Sequence, residues 1–158
     1  MNLYTRLLLT LFIVLAAATL QAQPYKAAVG ARVGYPTALS YKKFLGDAHA
    51  VELYAGTYFN RLSLHAAYQI HHPIEAIENL SFYYGAGAAF IFWNTYRNNY
   101  SRTGVGVQLY GGLDYFIDIE GLPLNLSVDW VPSYFFGNTY VNGIGAGYGT
   151  LAIRYVLR

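Results

Sequence analysis

The sequence predicts an all-β protein: an eight-stranded antiparallel up-and-down transmembrane β-barrel, preceded by a signal peptide. Three observations lead there. Nearly every segment after residue 22 alternates with period two, the side-chain repeat of a strand. Turn residues punctuate the chain at short intervals, with no helix-period segment between them. The chain is 55% hydrophobic and only 11% charged, whereas ordinary globular domains carry about 25% charged residues.

The first element is MNLYTRLLLTLFIVLAAATLQAQ. It has one early cation, Arg6, then an apolar stretch from Leu7 to Ala18, then small residues and a cleavage position after Ala22. This is the signal-peptide pattern, and its apolar core is shorter than the ~20 residues of a spanning helix. Removal of residues 1–22 leaves one barrel domain, 23–158, of an exported protein.

Strands are expected at 25–35, 37–45, 50–59, 62–71, 80–94, 104–118, 124–136 and 145–157. In the first, Val29, Ala31 and Val33 oppose Gly30, Arg32 and Gly34. The second, Ala38 to Phe44, is short. In the third, Val51, Leu53, Ala55 and Phe59 oppose Glu52, Tyr54, Gly56 and Tyr58. In the fourth, Leu62, Leu64, Ala66, Tyr68 and Ile70 oppose Ser63, His65, Ala67 and Gln69. The fifth is apolar on both faces. The sixth sets Val105, Val107, Leu109, Leu113, Tyr115 and Ile117 against Gln108, Tyr110, Asp114, Phe116 and Asp118. The seventh sets Leu124, Leu126, Val128 and Trp130 against Asn125, Ser127 and Asp129, and the eighth sets Leu151, Ile153, Tyr155 and Leu157 against Thr150, Ala152 and Arg154. Tyr35-Pro36, Gly46-Asp47, Asn60-Arg61, His72-Pro73, residues 94–102, Glu120 to Pro123 and Gly137 to Gly143 supply the breaks. Pro73 to Asn79 is long enough for one helical turn.

Alternation does not say which face points inward. A soluble lipocalin-like barrel encloses its hydrocarbon, whereas a membrane barrel displays it. Three features favour display. Most runs have the ~10 residues that cross a bilayer at a tilt. The second face is rich in Gly and small residues, which suit the crowded interior of eight strands. Aromatics gather near strand ends, among them Tyr35, Phe44, Phe92, Trp93, Trp130, Tyr134 and Phe136, as in interfacial girdles.

Asp114 and Asp129 then point into the barrel. A turn centred on Gly121-Leu122 places 114 opposite 129, so the interior must supply cations. Arg154 is the expected partner on the eighth strand, and Arg32 lies on the first. Lys42, Glu52, His65 and Gln69 extend an interior network of ion pairs and hydrogen bonds. Such a cluster is tolerable only when every charge is paired.

Three strings, GARVGYPTALSYKKFLGDAHAVELYAG, SFYYGAGAAFIFW and LPLNLSVDWVPSYFF, followed by LAIRYVL, resemble the small outer-membrane β-barrel proteins of Bacteroidetes. The most specific pieces are Gly34-Tyr35-Pro36-Thr37, Tyr83 to Gly87, and Ser127-Val128-Asp129-Trp130 with Pro132. The resemblance implies an eight-stranded barrel in the outer membrane of a Gram-negative cell, delivered by the outer-membrane insertion machinery. It implies no catalytic residues. Barrels of this kind often end on an aromatic; here Tyr155 precedes Val156-Leu157-Arg158.

Several functions are disfavoured. A net charge of +2 without a basic run gives no nucleic-acid partner. With no Cys, disulfides, thiol chemistry and a lipid-anchored cysteine are excluded. A porin role does not fit, because eight strands leave an interior filled by side chains. Ser63 and His65 share a strand face near Glu52, but no nucleophile motif surrounds them. His71-His72 at a turn suits solvent better than metal, since neighbours in a strand point apart. No cofactor is expected. The polar run NTYRNNYSRT, with Arg97, Asn98, Tyr100 and Arg102, reads as an external loop able to meet lipopolysaccharide phosphates. The expectation is a monomeric outer-membrane barrel with a structural, envelope or surface-interaction role, without catalysis, in contact with membrane lipid. The alternatives are a soluble exported barrel carrying an apolar ligand and an outer-membrane lipid-modifying enzyme.

Overall fold

The computed structural model describes residues 25–34, 36–58, 61–95, 100–119, 121–136 and 143–157, except the side chains of 58, 93–95, 100–102 and 143–148. Eight strands follow in chain order: β1 (Ala27–Val33), β2 (Thr37–Phe44), β3 (His49–Tyr58), β4 (Arg61–Pro73), β5 (Leu80–Thr95), β6 (Tyr100–Ile119), β7 (Leu122–Phe136) and β8 (Gly143–Leu157). Each pairs antiparallel with the next, and β1 closes on β8, giving a closed up-and-down barrel. Closure removes the unpaired edges that a sheet of this composition would otherwise expose.

Following the ladder from Tyr155 through Val29, Tyr41, Leu53, Ala66, Ala88, Val107 and Tyr134 returns to β8 at Ile144. That stagger tilts the strands against the barrel axis. The wall is uneven: β1 has 7 residues and β2 has 8, whereas β6 has 20. Pro132 cannot donate to a ladder, and β7 slips past β8 in a bulge between Val131 and Ser133.

Three local expectations are corrected. The turn between β6 and β7 is not centred on Gly121-Leu122: Ile119 pairs with Leu122, and Gly121 takes φ 81°. Only a left-handed position closes so short a hairpin in the native twist. Asp114 consequently faces Ser127, and Asp129 faces Gly112. Next, β4 runs on through His72 and Pro73, which pair with Phe82 and Ser81. The chain then reverses through two consecutive turns, Ile77 N to Ile74 O at 3.0 Å and Leu80 N to Ile77 O at 3.3 Å, with Asn79 at φ 63°, rather than through a helical turn. Finally, most of the expected loop 94–103 is strand: Thr95 pairs with Tyr100 and Trp93 with Arg102. The backbone ladder continues past the apolar stretch because Thr and Tyr suit it, whatever their side chains meet.

The two faces separate along the strands, with Lys43, His49 and Asp118 exposed near strand ends. Leu39 is 74% exposed, Leu109 61% and Trp130 59%, while Lys42, Glu52 and Gln69 are 0% exposed. The hydrocarbon face of every strand is outside. Inside, Gly30 and Gly85 let strands crowd: a Cβ on either would lie 2.1 Å from a neighbouring carbonyl oxygen, of Ile153 and Tyr68 respectively. An apolar layer of Tyr25, Ala28, Phe44, Ala50, Phe116 and Val156 fills the end where the chain enters and leaves. A second layer, of Ala38, Tyr54, Ala67, Tyr83, Tyr110 and Val131, lies nearer the other end.

Candidate functional site: the charged interior

Among the described residues, six buried charged groups from six strands lie with polar neighbours between these layers, and each arrives by strand parity. Even positions on β1, β2, β3, β6 and β8 point in, as does odd Asp129 on β7. Three are acids (Glu52, Asp114, Asp129) and three are cations (Arg32, Lys42, Arg154), so the network is charge-balanced.

Glu52 is the hub. Its Oε1 accepts from Arg32 Nη1 at 2.8 Å, from Ser40 Oγ at 2.7 Å and from Arg154 Nη2; its Oε2 accepts from Gln69 Nε2 at 2.8 Å. Asp129 accepts from Arg32 Nη2 through both oxygens at 2.8 Å, from Tyr83 OH at 2.5 Å and from Thr150 Oγ1. Asp114 accepts from Lys42 Nζ at 2.7 Å, from Asn125 Nδ2 at 2.6 Å and from Tyr25 OH at 3.2 Å. Arg154 spends its remaining donors on Ser40 Oγ, Asn125 Oδ1 and Ser127 Oγ, each at 2.9 Å. The Arg32 guanidinium also lies 4.6 Å over the Tyr54 ring, and Lys42 Nζ lies 4.6 Å over Tyr83. Every buried charge therefore has an opposite charge, and each but Lys42 also has neutral hydrogen-bond partners; Lys42 has the Tyr83 ring instead, so burial is tolerable.

The pairing differs from the expected one. Arg154 does not meet Asp129; it meets Glu52, across the barrel. Its Cα pairs with Asn125, four residues from Asp129, whose cross-strand neighbour is Thr150. Arg32 reaches Asp129 from β1 and bridges it to Glu52. The two acids Asp114 and Asp129 do not face one another, and each has its own cation.

Among the expected members, Gln69 joins this network and His65 does not. His65 belongs to a separate layer. Its Nδ1 lies 2.7 Å from Gln108 Oε1, and its ring stacks on Tyr54 at 4.2 Å. Tyr54 OH meets Tyr110 OH at 2.8 Å, and Tyr110 OH donates to Gln108 Oε1 at 2.9 Å. The Gln108 oxygen only accepts, so Nδ1 carries the imidazole proton. Ser63 Oγ donates to the Gly56 carbonyl at 3.3 Å, and Glu52 is taken up by its two arginines; the three do not assemble as a triad.

His71 and His72 lie on β4, not at a turn. His71 points in, stacked on Tyr83 at 4.8 Å, and His72 stacks outside on Phe82 at 4.9 Å and Tyr84 at 5.5 Å. Among the described residues no group of His, Asp and Glu is arranged to hold a metal. Arg97 and Asn98 lie outside the described residues; Tyr100 and Arg102 begin β6.

Sequence reasoning missed Ser40, Tyr83, Asn125, Ser127 and Thr150 as members of the network, although Asn125, Ser127 and Thr150 lay on the face read as inward and Ser40 shares the parity of Lys42. Tyr25 had no such signal. It precedes β1, yet packs 5.1 Å from Phe44 and reaches Asp114. No protein-family model, curated protein or solved structure matches this chain.

Proposed function

We propose that this chain is an integral outer-membrane β-barrel that acts as a monomeric structural or surface-interaction element of the envelope, without catalysis. One observation carries the reading: away from their ends, the strands put hydrocarbon outside and charged or polar residues inside. A water-soluble barrel gains by the reverse arrangement, since exposed apolar area costs about 25 cal/mol per Å². The aromatic residues His72, Phe82, Tyr84, Tyr115 and Tyr155 toward the terminal end, and Phe90, Phe92, Tyr134 and Phe136 toward the other, suit two interfacial girdles. The resemblance to small Bacteroidetes barrels, and the signal peptide read at residues 1–22, point to the same compartment.

The interior supports a plug rather than a channel or a reaction centre. Its charges are consumed by one another, and its serine, histidine and glutamate have separate partners. Contact with the outside falls to the β5–β6 hairpin, where Arg97, Asn98, Tyr100 and Arg102 would meet lipopolysaccharide phosphates. Membrane fractionation with gels of boiled and unboiled protein tests the reading. The expected result is outer-membrane recovery with a shifted unboiled band. Recovery from the soluble periplasm would overturn it and favour a soluble barrel.

A further inference from the structure

The outer wall is not uniformly studded. Ala55 and Ala66, on adjacent strands β3 and β4, leave the main chain uncovered between projecting neighbours. The result is an apolar groove of about 460 Å³ across β1 to β5, walled by Tyr41, Leu53, Leu64 and Phe90. Ser40, Tyr54 and His65 also line it, and because their side chains point inward, they floor it with backbone.

One end of the groove leads to positive charge. Lys43 lies two residues beyond Tyr41 on the same exposed face of β2, about 7 Å further toward the terminal end. It pairs in register with Ala27 of β1, next to exposed Lys26, and with Val51 of β3. His49 follows on β3, bonded through Nδ1 to Tyr68 OH at 2.8 Å. Among the described residues no acid pairs with Lys26 or Lys43.

We propose that this groove binds one anionic phospholipid of the leaflet at the terminal end. Its phosphate sits at Lys43 and Lys26, and one acyl chain lies from Tyr41 past Leu53 and Ala66 toward Phe90. The inference rests on the membrane reading above. Hydrocarbon gains no transfer energy on leaving other hydrocarbon, so selection comes from shape and from charge. The groove supplies contact on several sides of the chain. The lysines supply charge that discriminates an anionic headgroup from a zwitterionic one.

The test is native mass spectrometry of the detergent-purified barrel, titrated with phosphatidylglycerol or with phosphatidylcholine of the same chains. The expected result is one retained phosphatidylglycerol, held in clear preference to phosphatidylcholine. Lys43→Gln should weaken phosphatidylglycerol retention about fivefold, the worth of one lysine beside anionic lipid. The double variant Ala55→Leu, Ala66→Leu fills the groove and should lose both lipids. Equal retention of the two lipids, a lipid adduct surviving in the filled variant, or a protein dimer in place of the adduct would each overturn the site. A heat-modifiable outer-membrane protein that retains no lipid overturns this inference alone. A soluble periplasmic protein overturns the membrane reading along with it.

Discussion

Replacing Glu52 with glutamine removes the one negative charge shared by two arginines while keeping the shape. In the native barrel Glu52 Oε1 receives Arg32 and Arg154, and Oε2 receives Gln69. After Glu52→Gln, Arg32 still has Asp129, but Arg154 keeps only Ser40, Asn125 and Ser127, all neutral. The interior is left with one excess positive charge at a 0% exposed position. The new amide N–H also confronts the Gln69 amide, which must turn over and so disturbs its 3.3 Å contact with His71. Breaking a buried pair by removing one partner costs about 3–5 kcal/mol, and that is the expected loss. Adding Arg32→Met restores the net charge balance, two cations to two acids, and the 2.8 Å Arg32–Glu52 pair that it removes is one the first substitution has already broken. The double mutant should therefore be more stable than the sum of the singles by about 2–3 kcal/mol, the upper range for residues in one network. Urea unfolding from lipid vesicles measures this, followed by tryptophan emission; Trp130 on the outer face reports transfer from lipid to water. A single-mutant loss below about 1 kcal/mol, or additivity within about 0.5 kcal/mol, would refute the view that paired charges hold the interior together.

Other consequences are open to the same assays. Asp129 should couple to Arg32, which it contacts at 2.8 Å, more strongly than to Arg154; two double-mutant cycles with Asp129→Asn decide this, and equal coupling would contradict the pairing. Gly30→Val or Gly85→Val places a Cβ about where a neighbouring carbonyl oxygen already stands, 2.1 Å from it, so the unboiled fast-migrating band should disappear. A folded band at wild-type intensity would show that those strands do not approach so closely. Leu39→Lys, at an outward position that is 74% exposed, should destabilise the vesicle-embedded barrel by about 2–4 kcal/mol if it lies near the bilayer midplane. A neutral result there would argue that water, not lipid, meets this face.

Strand number, strand order and, outside the fifth strand and Tyr25, the two faces of the strands were legible in the sequence. They depend on period-two alternation, which is local: a residue's face is set by its neighbours one and two positions away. Arg32, Lys42, Glu52, Gln69, Asp114, Asp129 and Arg154 were thus placed inside before any pairing was known, and the same parity covers Ser40, Asn125 and Thr150. Which charge meets which was decided by the tertiary structure alone. The pairing of Ile119 with Leu122 set Asp114 against Ser127, not against Asp129. The stagger on closing β1 against β8 carried Arg32 to Asp129 and sent Arg154 across the barrel to Glu52. Tyr25, on the outward parity of the expected first strand, found Asp114 only because it lies before β1 and turns into the barrel. Long side chains crossing a narrow interior choose partners by the three-dimensional offset between strands, and that offset is a property of the closed ring rather than of any one strand.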